Sequence, residues 1–172
     1  YEKLLENRIR QDIQGKISIL QGGSQRKKGT IDMHIVLQEI LHQNKGKQTI
    51  LCAYDLSKAY DRVNRDLLWK KMKDMGVDEH TIKAVISTYE NTSTRIQMGN
   101  IKSKQRRLEN GIKQGSVLSP VLFIIYVNEL IEELQTTNAG LSIDINNKRM
   151  TVPCLMFVDD IILLAKHVKD LE

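Results

Sequence analysis

The sequence is poor in the residues that mark several classes of protein. It has two cysteines and two prolines, and aromatic residues make up 5% of its 172 positions. Cys52 and Cys154 each lie inside an apolar run, so we expect small buried side chains, no disulfide or metal site, and a reducing compartment. The longest strongly apolar stretch, residues 117–127, is too short to span a bilayer, and no signal peptide or lipidation motif is visible. The sequence therefore predicts a protein without a membrane partner.

What the sequence does contain is typical of a globular protein. Hydrophobic residues make up 41% of the chain, which suits one domain of ordinary size or two closely apposed lobes. The net charge of +5 suits a polyanionic partner such as nucleic acid, although many ordinary soluble domains carry a similar excess. Because the chain begins at Tyr1 and stops at Glu172 within charged sequence, we expect a piece of a longer polypeptide.

The first half of the chain predicts helices and one apolar strand. Apolar residues at positions 4, 5, 9, 13 and 17 follow the helical period. Thr30 is a candidate cap for a second helix. The segment "QTILCAYDL" predicts a strand with Asp55 near its end. A helix capped by Asn64 and ended by Gly76 should follow, and then another over residues 79–89.

The second half predicts strands around one long helix. The segments "TRIQMGN" and "KQRRLENG" favour a hairpin pair. Ser119 and Pro120 should cap and begin a helix. The segment "LSIDINNKRMTVPCLMFV" predicts two strands around Asn146–Asn147, and "IILLAK" predicts a last strand. The fold class is therefore α+β with predominantly antiparallel strands.

Three aspartates are the strongest candidates for chemistry. Asp159 and Asp160 lie between two apolar runs, which predicts a tight hairpin whose turn displays both carboxylates. If the strand before Asp55 pairs with this hairpin, Asp55 and Asp159 can converge on one edge of the sheet. Convergent carboxylates favour Mg²⁺ or Mn²⁺ over Zn²⁺. Taken alone, the Asp-Asp pair is more typical of a solvated turn.

Three segments together resemble the motifs of the reverse transcriptase family. They are "DLSKAYDRV" at 55–63, "GIKQGSVLSPVLF" at 111–123 and "FVDD" at 157–160. They resemble its first catalytic motif, its Gln-Gly…Ser-Pro motif and its aromatic-x-Asp-Asp box, in the family's order. The segment "QGGSQRKKGTIDMHIVL" resembles a looser upstream element. The resemblance is strongest to the retrotransposon type without long terminal repeats.

The resemblance implies a two-metal polymerase site. Asp55 and Asp159 would be the principal ligands of two Mg²⁺ or Mn²⁺ ions, Asp160 would assist them or fix the turn, and the backbone of Leu56 would contribute. Tyr60 would be the steric gate against a 2′ hydroxyl, although a packed core tyrosine is the alternative. Five further residues would contact the dNTP: Ser57, Lys58, Ala59, Gln114 and Gly115.

The resemblance also implies partners and a domain layout. The partners would be an RNA template and a DNA primer, contacted by a basic set that is equally typical of a solvated surface: Arg26, Lys27, Lys28, Arg106 and Arg107. Residues 1–47 would be partial fingers and residues 48–172 the palm, with a fingers-like insert at about 64–110 and no thumb. The protein would be intracellular, and nuclear by analogy with chromosomal retroelements.

The sequence departs from the family pattern at two places and leaves two other functions open. Val158 stands where relatives usually have alanine, and "GGSQ" replaces an expected Gly-Phe-Arg. One alternative is a catalytically silent, truncated or repurposed remnant that binds nucleic acid. The other is an RNA-dependent RNA polymerase palm, which also uses paired aspartates but is disfavoured by Tyr60 and the Gln-Gly…Ser-Pro motif.

Overall fold

Helices and antiparallel strands are mixed along the chain, as the sequence predicts. The structure is a computed structural model that describes residues 1–137 and 139–171, so the last residue of the predicted palm lies outside the described part. The helices are α1 (Glu2–Asp12), α2 (Thr30–Gln43), α3 (Arg65–Asp74), α4 (Glu79–Tyr89) and α5 (Ser119–Thr136), with 3-10 turns at Tyr60–Arg62 and Val168–Leu171. The strands are β1 (Ile50–Asp55), β2 (Ser93–Thr94), β3 (Gln97–Met98), β4 (Ile101–Lys102), β5 (Arg106–Arg107), β6 (Leu141–Ile145), β7 (Lys148–Val152), β8 (Cys154–Phe157) and β9 (Asp160–Ala165). Within the described residues, no helix combines the length and apolar character needed to cross a membrane.

The chain divides into two units. The first comprises Tyr1–Gln14 and Lys58–Leu122. Its core is formed by α1, α3 and α4, which bury apolar side chains at the helical period, among them Leu5, Ile9, Leu68, Met72 and Val85. The Asn64 side chain accepts a hydrogen bond from the backbone N–H of Leu67 at 3.0 Å, as expected of an N-cap.

The second unit comprises Gly15–Ser57 and the chain from Phe123 onward. Its centre is a three-stranded antiparallel sheet in the order β1-β9-β8. Strand β1 ends at Asp55 and strand β9 begins at Asp160. The rest of each strand lies within the apolar run that predicts it. A separate antiparallel hairpin, β6–β7, is paired from Leu141↔Val152 to Ile145↔Lys148. Helix α2 joins this hairpin, since the side-chain amide of Asn44 donates to the carbonyl of Ser142 at 2.7 Å.

Three local predictions are corrected by the structure. Gly29, not Thr30, is the N-cap of α2, because the Asp32 carboxylate turns back to accept a hydrogen bond from the Gly29 N–H at 2.7 Å. The segments predicted as one hairpin take part in two: the end of β2 in "TRIQMGN" pairs with β5 in "KQRRLENG", whereas β3 in "TRIQMGN" pairs with β4. The segment "LSIDINNKRMTVPCLMFV", predicted as two strands, contains three, because Pro153 separates β7 from β8.

Candidate active site

Asp55 and Asp160 lie opposite each other on neighbouring strands. In the antiparallel pair β1–β9, Asp55 is the register partner of Asp160. Side chains of directly opposed residues leave the sheet on the same face, with Cβ atoms about 4.5–5.5 Å apart. Both residues are exposed. The strand pairing therefore places two carboxylates side by side at one end of the sheet.

Asp159 lies in the turn that joins β8 to β9. Phe157 pairs with Asp160 across the hairpin, so Val158 and Asp159 form a two-residue turn. The φ of Val158 is 59°, and Asp159 has no positive φ, which matches a type II′ hairpin turn. Asp159 is half-buried. The carboxylate opposite Asp55 is thus that of Asp160, with Asp159 one residue away.

The donor chemistry of this site fits a hard divalent cation. Mg²⁺ usually takes one or two carboxylates and leaves its other positions to water and substrate phosphates. The opposed pair Asp55 and Asp160 offers two carboxylates of that kind. Over residues 1–137 and 139–171, the structure contains no preformed cluster of three or more His, Cys, Asp or Glu side chains that could hold a metal ion. The three aspartates therefore do not form a preformed metal cluster: the β1–β9 pairing brings Asp160 opposite Asp55, and Asp159 lies in the adjoining turn.

An apolar pocket of about 190 Å³ lies beside Asp160. One wall is the face of the sheet that carries Leu155, Phe157, Asp160 and Ile162, which share that face by strand alternation. The other wall is α2, through Thr30, Met33, His34 and Leu37. The carboxylate of Asp160 is thus at the rim of a pocket with little polar surface.

The predicted nucleotide-binding residues lie in two short loops. Ser57, Lys58 and Ala59 form a turn after β1, in which Lys58 has a φ of 55°. The Lys58 carbonyl accepts from the N–H groups of Asp61 and Arg62 at 3.0 and 3.1 Å. This bond pattern closes the 3-10 turn that begins at Tyr60, whose side chain is half-buried.

The loop that carries Gln114 and Gly115 is tied to that 3-10 turn within the first unit. The Gln114 side-chain amide donates to the Asp61 carboxylate at 3.3 Å. The N–H of Ile112 donates to the carbonyl of Tyr60 at 2.9 Å. Gly115 is exposed, has a φ of 83°, and has open space around its Cα. The structure therefore brings Gln114 to the Tyr60 turn.

The predicted basic contacts belong to both units of the chain. Arg106 and Arg107 lie on exposed β5, paired with β2 in the first unit. Arg26 and Lys27 are exposed in a loop of the second unit. The Lys28 ammonium donates to the carbonyls of Gln21 and Ile19 at 3.3 and 3.4 Å. Partial burial lowers the pKa of Lys28.

Sequence patterns gave no role to Gln21, which the structure places against the aspartate turn. Its side chain is 0% exposed and hydrogen-bonds the backbone of Val158. The sequence signal was the resemblance of the segment beginning at Gln21 to the upstream element, and it does not indicate a partner 137 residues away.

A family model matches the whole chain, and curated relatives match parts of it. The model of the family described as reverse transcriptase (RNA-dependent DNA polymerase) matches residues 1–172. A Pol polyprotein from a type-1 retrotransposable element R2 of Popillia japonica is 33% identical over 142 residues, covering 79% of this chain and 22% of that protein. A type-2 R2DM counterpart from Drosophila melanogaster is 27% identical over 112 residues, covering 65% and 10%. The chain therefore spans 22% or less of the length of these two relatives.

Solved structures share the fold at low sequence identity. Telomerase from Candida albicans, in complex with a TWJ fragment of telomeric RNA, superposes with a TM-score of 0.63 at 12% identity, covering 99% of this chain and 31% of that one. Apo telomerase from Candida tropicalis gives a TM-score of 0.59 at 15% identity, covering 98% and 34%. At these identities the likeness establishes the fold: a mixed helix and antiparallel-sheet arrangement of the right-hand polymerase type.

Proposed function

Because the chain belongs to the reverse transcriptase family, and to its type without long terminal repeats, we propose that it forms the catalytic core of an RNA-directed DNA polymerase. The reaction adds a deoxynucleoside monophosphate from a dNTP to the 3′ end of a DNA primer on an RNA template and releases pyrophosphate. The observation that carries the proposal is the opposition of Asp55 and Asp160 on β1 and β9, with Asp159 in the adjoining turn. Opposed, accessible carboxylates at the end of a sheet are suited to binding a Mg²⁺ ion whose other positions are taken by substrate phosphates.

We propose that Asp55, Asp159 and Asp160 hold two Mg²⁺ or Mn²⁺ ions, with the backbone of Leu56 as a further ligand. When bound, such ions activate the attacking 3′ hydroxyl and stabilise the leaving pyrophosphate. The protein fixes the separation of Asp55 and Asp160 through the β1–β9 register. It fixes Asp159 through the Val158–Asp159 turn, which leaves little freedom between β8 and β9.

The dNTP contacts are proposed from the turn after β1, with the 3-10 turn that begins at Tyr60, and from the loop of Gln114 and Gly115. Backbone amides of Ser57, Lys58 and Ala59 would bind the triphosphate, since successive amides in a turn form anion-binding concavities. Tyr60 would sit under the sugar and exclude a 2′ hydroxyl. Gln114 and Gly115 would line the nucleotide and template side, where the absence of a Cβ at Gly115 leaves open space for a close approach.

Template and primer contacts are proposed for the exposed basic residues. Arg26, Lys27, Arg106 and Arg107 are exposed, and we propose that they contact phosphates. The Lys28 ammonium donates to backbone carbonyls. Such contacts add affinity and salt dependence without sequence recognition. Within this proposal residues 48–172 are the palm and residues 1–47 part of the fingers. The nucleus is the proposed location, because the R2 relatives are named as retrotransposable-element proteins.

Primer extension tests the proposed function. The assay uses an RNA template with an annealed DNA primer, dNTPs, and Mg²⁺ or Mn²⁺. Replacing Asp159 with Asn should reduce incorporation at least about 100-fold, the loss typical of one group that stabilises transition-state charge. Asp74→Asn is the matched control, since Asp74 is an exposed aspartate at the end of α3 and should leave the rate unchanged.

The possible outcomes separate the alternatives. Incorporation that survives Asp159→Asn contradicts the assignment. Preferential use of NTPs would favour an RNA-dependent RNA polymerase. Salt-sensitive binding of the primer–template without turnover, in a polypeptide extended to the length of its relatives, would identify a silent remnant.

A further inference from the structure

The turn that carries Asp159 has a backbone conformation that its sequence disfavours. Val158 occupies the first turn position at φ 59°, a region that glycine adopts freely and that is a genuine outlier for a β-branched residue. Within the described residues, none of the other non-glycine residues at positive φ is β-branched; they are Ser24, Lys27, Lys58, Asn91, Asn146 and Asn147. A conformation of this kind persists only where the surrounding structure imposes it.

The Gln21 side chain forms hydrogen bonds with both backbone groups of Val158. The Gln21 Oε1 accepts from the Val158 N–H at 2.9 Å, and the Gln21 Nε2 donates to the Val158 carbonyl at 3.3 Å. The same Oε1 also accepts from the Gly23 N–H at 2.8 Å. Because Gln21 is 0% exposed, water does not compete for these bonds. The amide therefore acts as a short strand partner for one residue.

The chain on either side of Gln21 pairs with β8 and fixes the position of that amide. Residues 20–23 form what we name the Gln21 segment. The N–H of Met156 donates to the Leu20 carbonyl at 2.9 Å, and the N–H of Gly22 donates to the Met156 carbonyl at 2.8 Å. At Gly23 an added Cβ would lie 2.3 Å from the Val158 nitrogen. Only glycine allows the segment to approach the turn this closely.

We propose that Gln21 is a positioning residue for the aspartate turn: it holds Val158 in the left-handed conformation and thereby sets the directions of Asp159 and Asp160. The consequence for metal binding rests on the proposed function, whereas the effect on the turn does not. Removing Gln21 leaves the Val158 N–H and carbonyl without these partners. Val158 would then relax toward negative φ and turn the two carboxylates away from Asp55.

The first readout is the turn itself, in the folded chain. Amide hydrogen exchange at residues 158–160 is compared between the wild type and Gln21→Leu. We expect exchange at residue 158 to accelerate by about tenfold or more, because its hydrogen bond is lost. Gln43→Leu is the matched control: Gln43 pairs with both backbone groups of Asp144, at 2.7 and 3.1 Å, and lies outside the aspartate turn.

The second readout is the affinity for Mn²⁺, measured by electron paramagnetic resonance without turnover. Gln21→Leu should weaken Mn²⁺ binding about 10- to 100-fold, the range seen when an outer partner of a metal ligand is removed. Adding Val158→Gly to Gln21→Leu should restore affinity to within about threefold of Val158→Gly alone, since glycine adopts this φ without help. A general folding defect would not be rescued by that second change.

The outcomes test the positioning role of Gln21 and the proposed metal site separately. Unchanged exchange at residue 158, an equal effect of Gln43→Leu, or no rescue by glycine would overturn the role of Gln21. If the wild type binds no Mn²⁺ while Gln21→Leu still frees residue 158, the proposed metal site fails and the positioning role stands. Should Gln21→Leu not fold by circular dichroism, Gln21→Asn replaces it, because its shorter amide cannot reach Val158.

Discussion

At the scale of single residues, the proposed active site depends on a few side chains whose surroundings differ sharply. Asp55 and Asp160 are exposed at the end of an otherwise apolar sheet, whereas Gln21 is fully buried. Val158 stands at a backbone conformation suited to glycine. The exposed carboxylates remain open to a substrate, while the buried amide and the unusual turn fix where they point. The sequence indicates the aspartates from their apolar neighbours, but it does not indicate Gln21, because that role depends on a contact between distant parts of the chain.

The proposed gate at Tyr60 gives a prediction at this scale. Tyr60→Ala should raise the ratio of NTP to dNTP incorporation by about 10- to 100-fold, because the ring that would clash with a 2′ hydroxyl is gone. Tyr60→Phe keeps the ring and should keep the wild-type ratio. The measurement is single-nucleotide primer extension with matched NTP and dNTP. An unchanged ratio in Tyr60→Ala would indicate a packing tyrosine.

At the scale of elements, the sequence predicts what is local and misses what depends on neighbours. The cap at Asn64 and the bounds of α4, Glu79–Tyr89, follow from residues within one helical turn of each end. The start of α2 was misplaced by one residue, since the reciprocal bond between Gly29 and Asp32 competes with a Thr30 cap. The register that pairs Asp55 with Asp160 could not be derived, because a shift of two residues would keep the same faces buried.

The loop before Gln114 gives the prediction at this scale. Gly111 has a φ of 84°, and an added Cβ would lie 2.9 Å from the Asp61 carbonyl oxygen. The Arg65 guanidinium also holds the Gly111 carbonyl at 2.8 Å. Gly111→Ala should therefore lower the free energy of unfolding by about 2–3 kcal/mol, from backbone strain and the close contact together.

The control for this prediction is Gly99→Ala. Gly99 has a φ of 58° but no atom within 4 Å of an added Cβ, so it carries the backbone cost alone, about 1 kcal/mol. Urea unfolding followed by circular dichroism gives both values. Equal losses at the two glycines would show that the approach of Gly111 to Asp61 has no energetic weight.

At the scale of the whole molecule, the chain is one part of a polymerase of the right-hand type. The family model matches it throughout, while it spans 22% of the Popillia japonica relative. The second unit contains the three aspartates and Gln21, and the first contains Tyr60 and Gln114. The fold class and the motif order could be predicted from the sequence. The division into these units could not, because each is assembled from two separate stretches of chain.

The most direct test of the proposed metal site is to locate the metal by Fe²⁺-dependent backbone cleavage. Fe²⁺ replaces Mg²⁺ in the presence of primer–template, a dNTP and a terminated primer, and hydroxyl radicals then cut the chain close to the bound ion. We predict cuts near residue 55 and within residues 158–160. These cuts should be suppressed by excess Mg²⁺ and lost in Asp55→Asn. Cuts confined to other parts of the chain, or unchanged by Asp55→Asn, would contradict a metal site at the three aspartates.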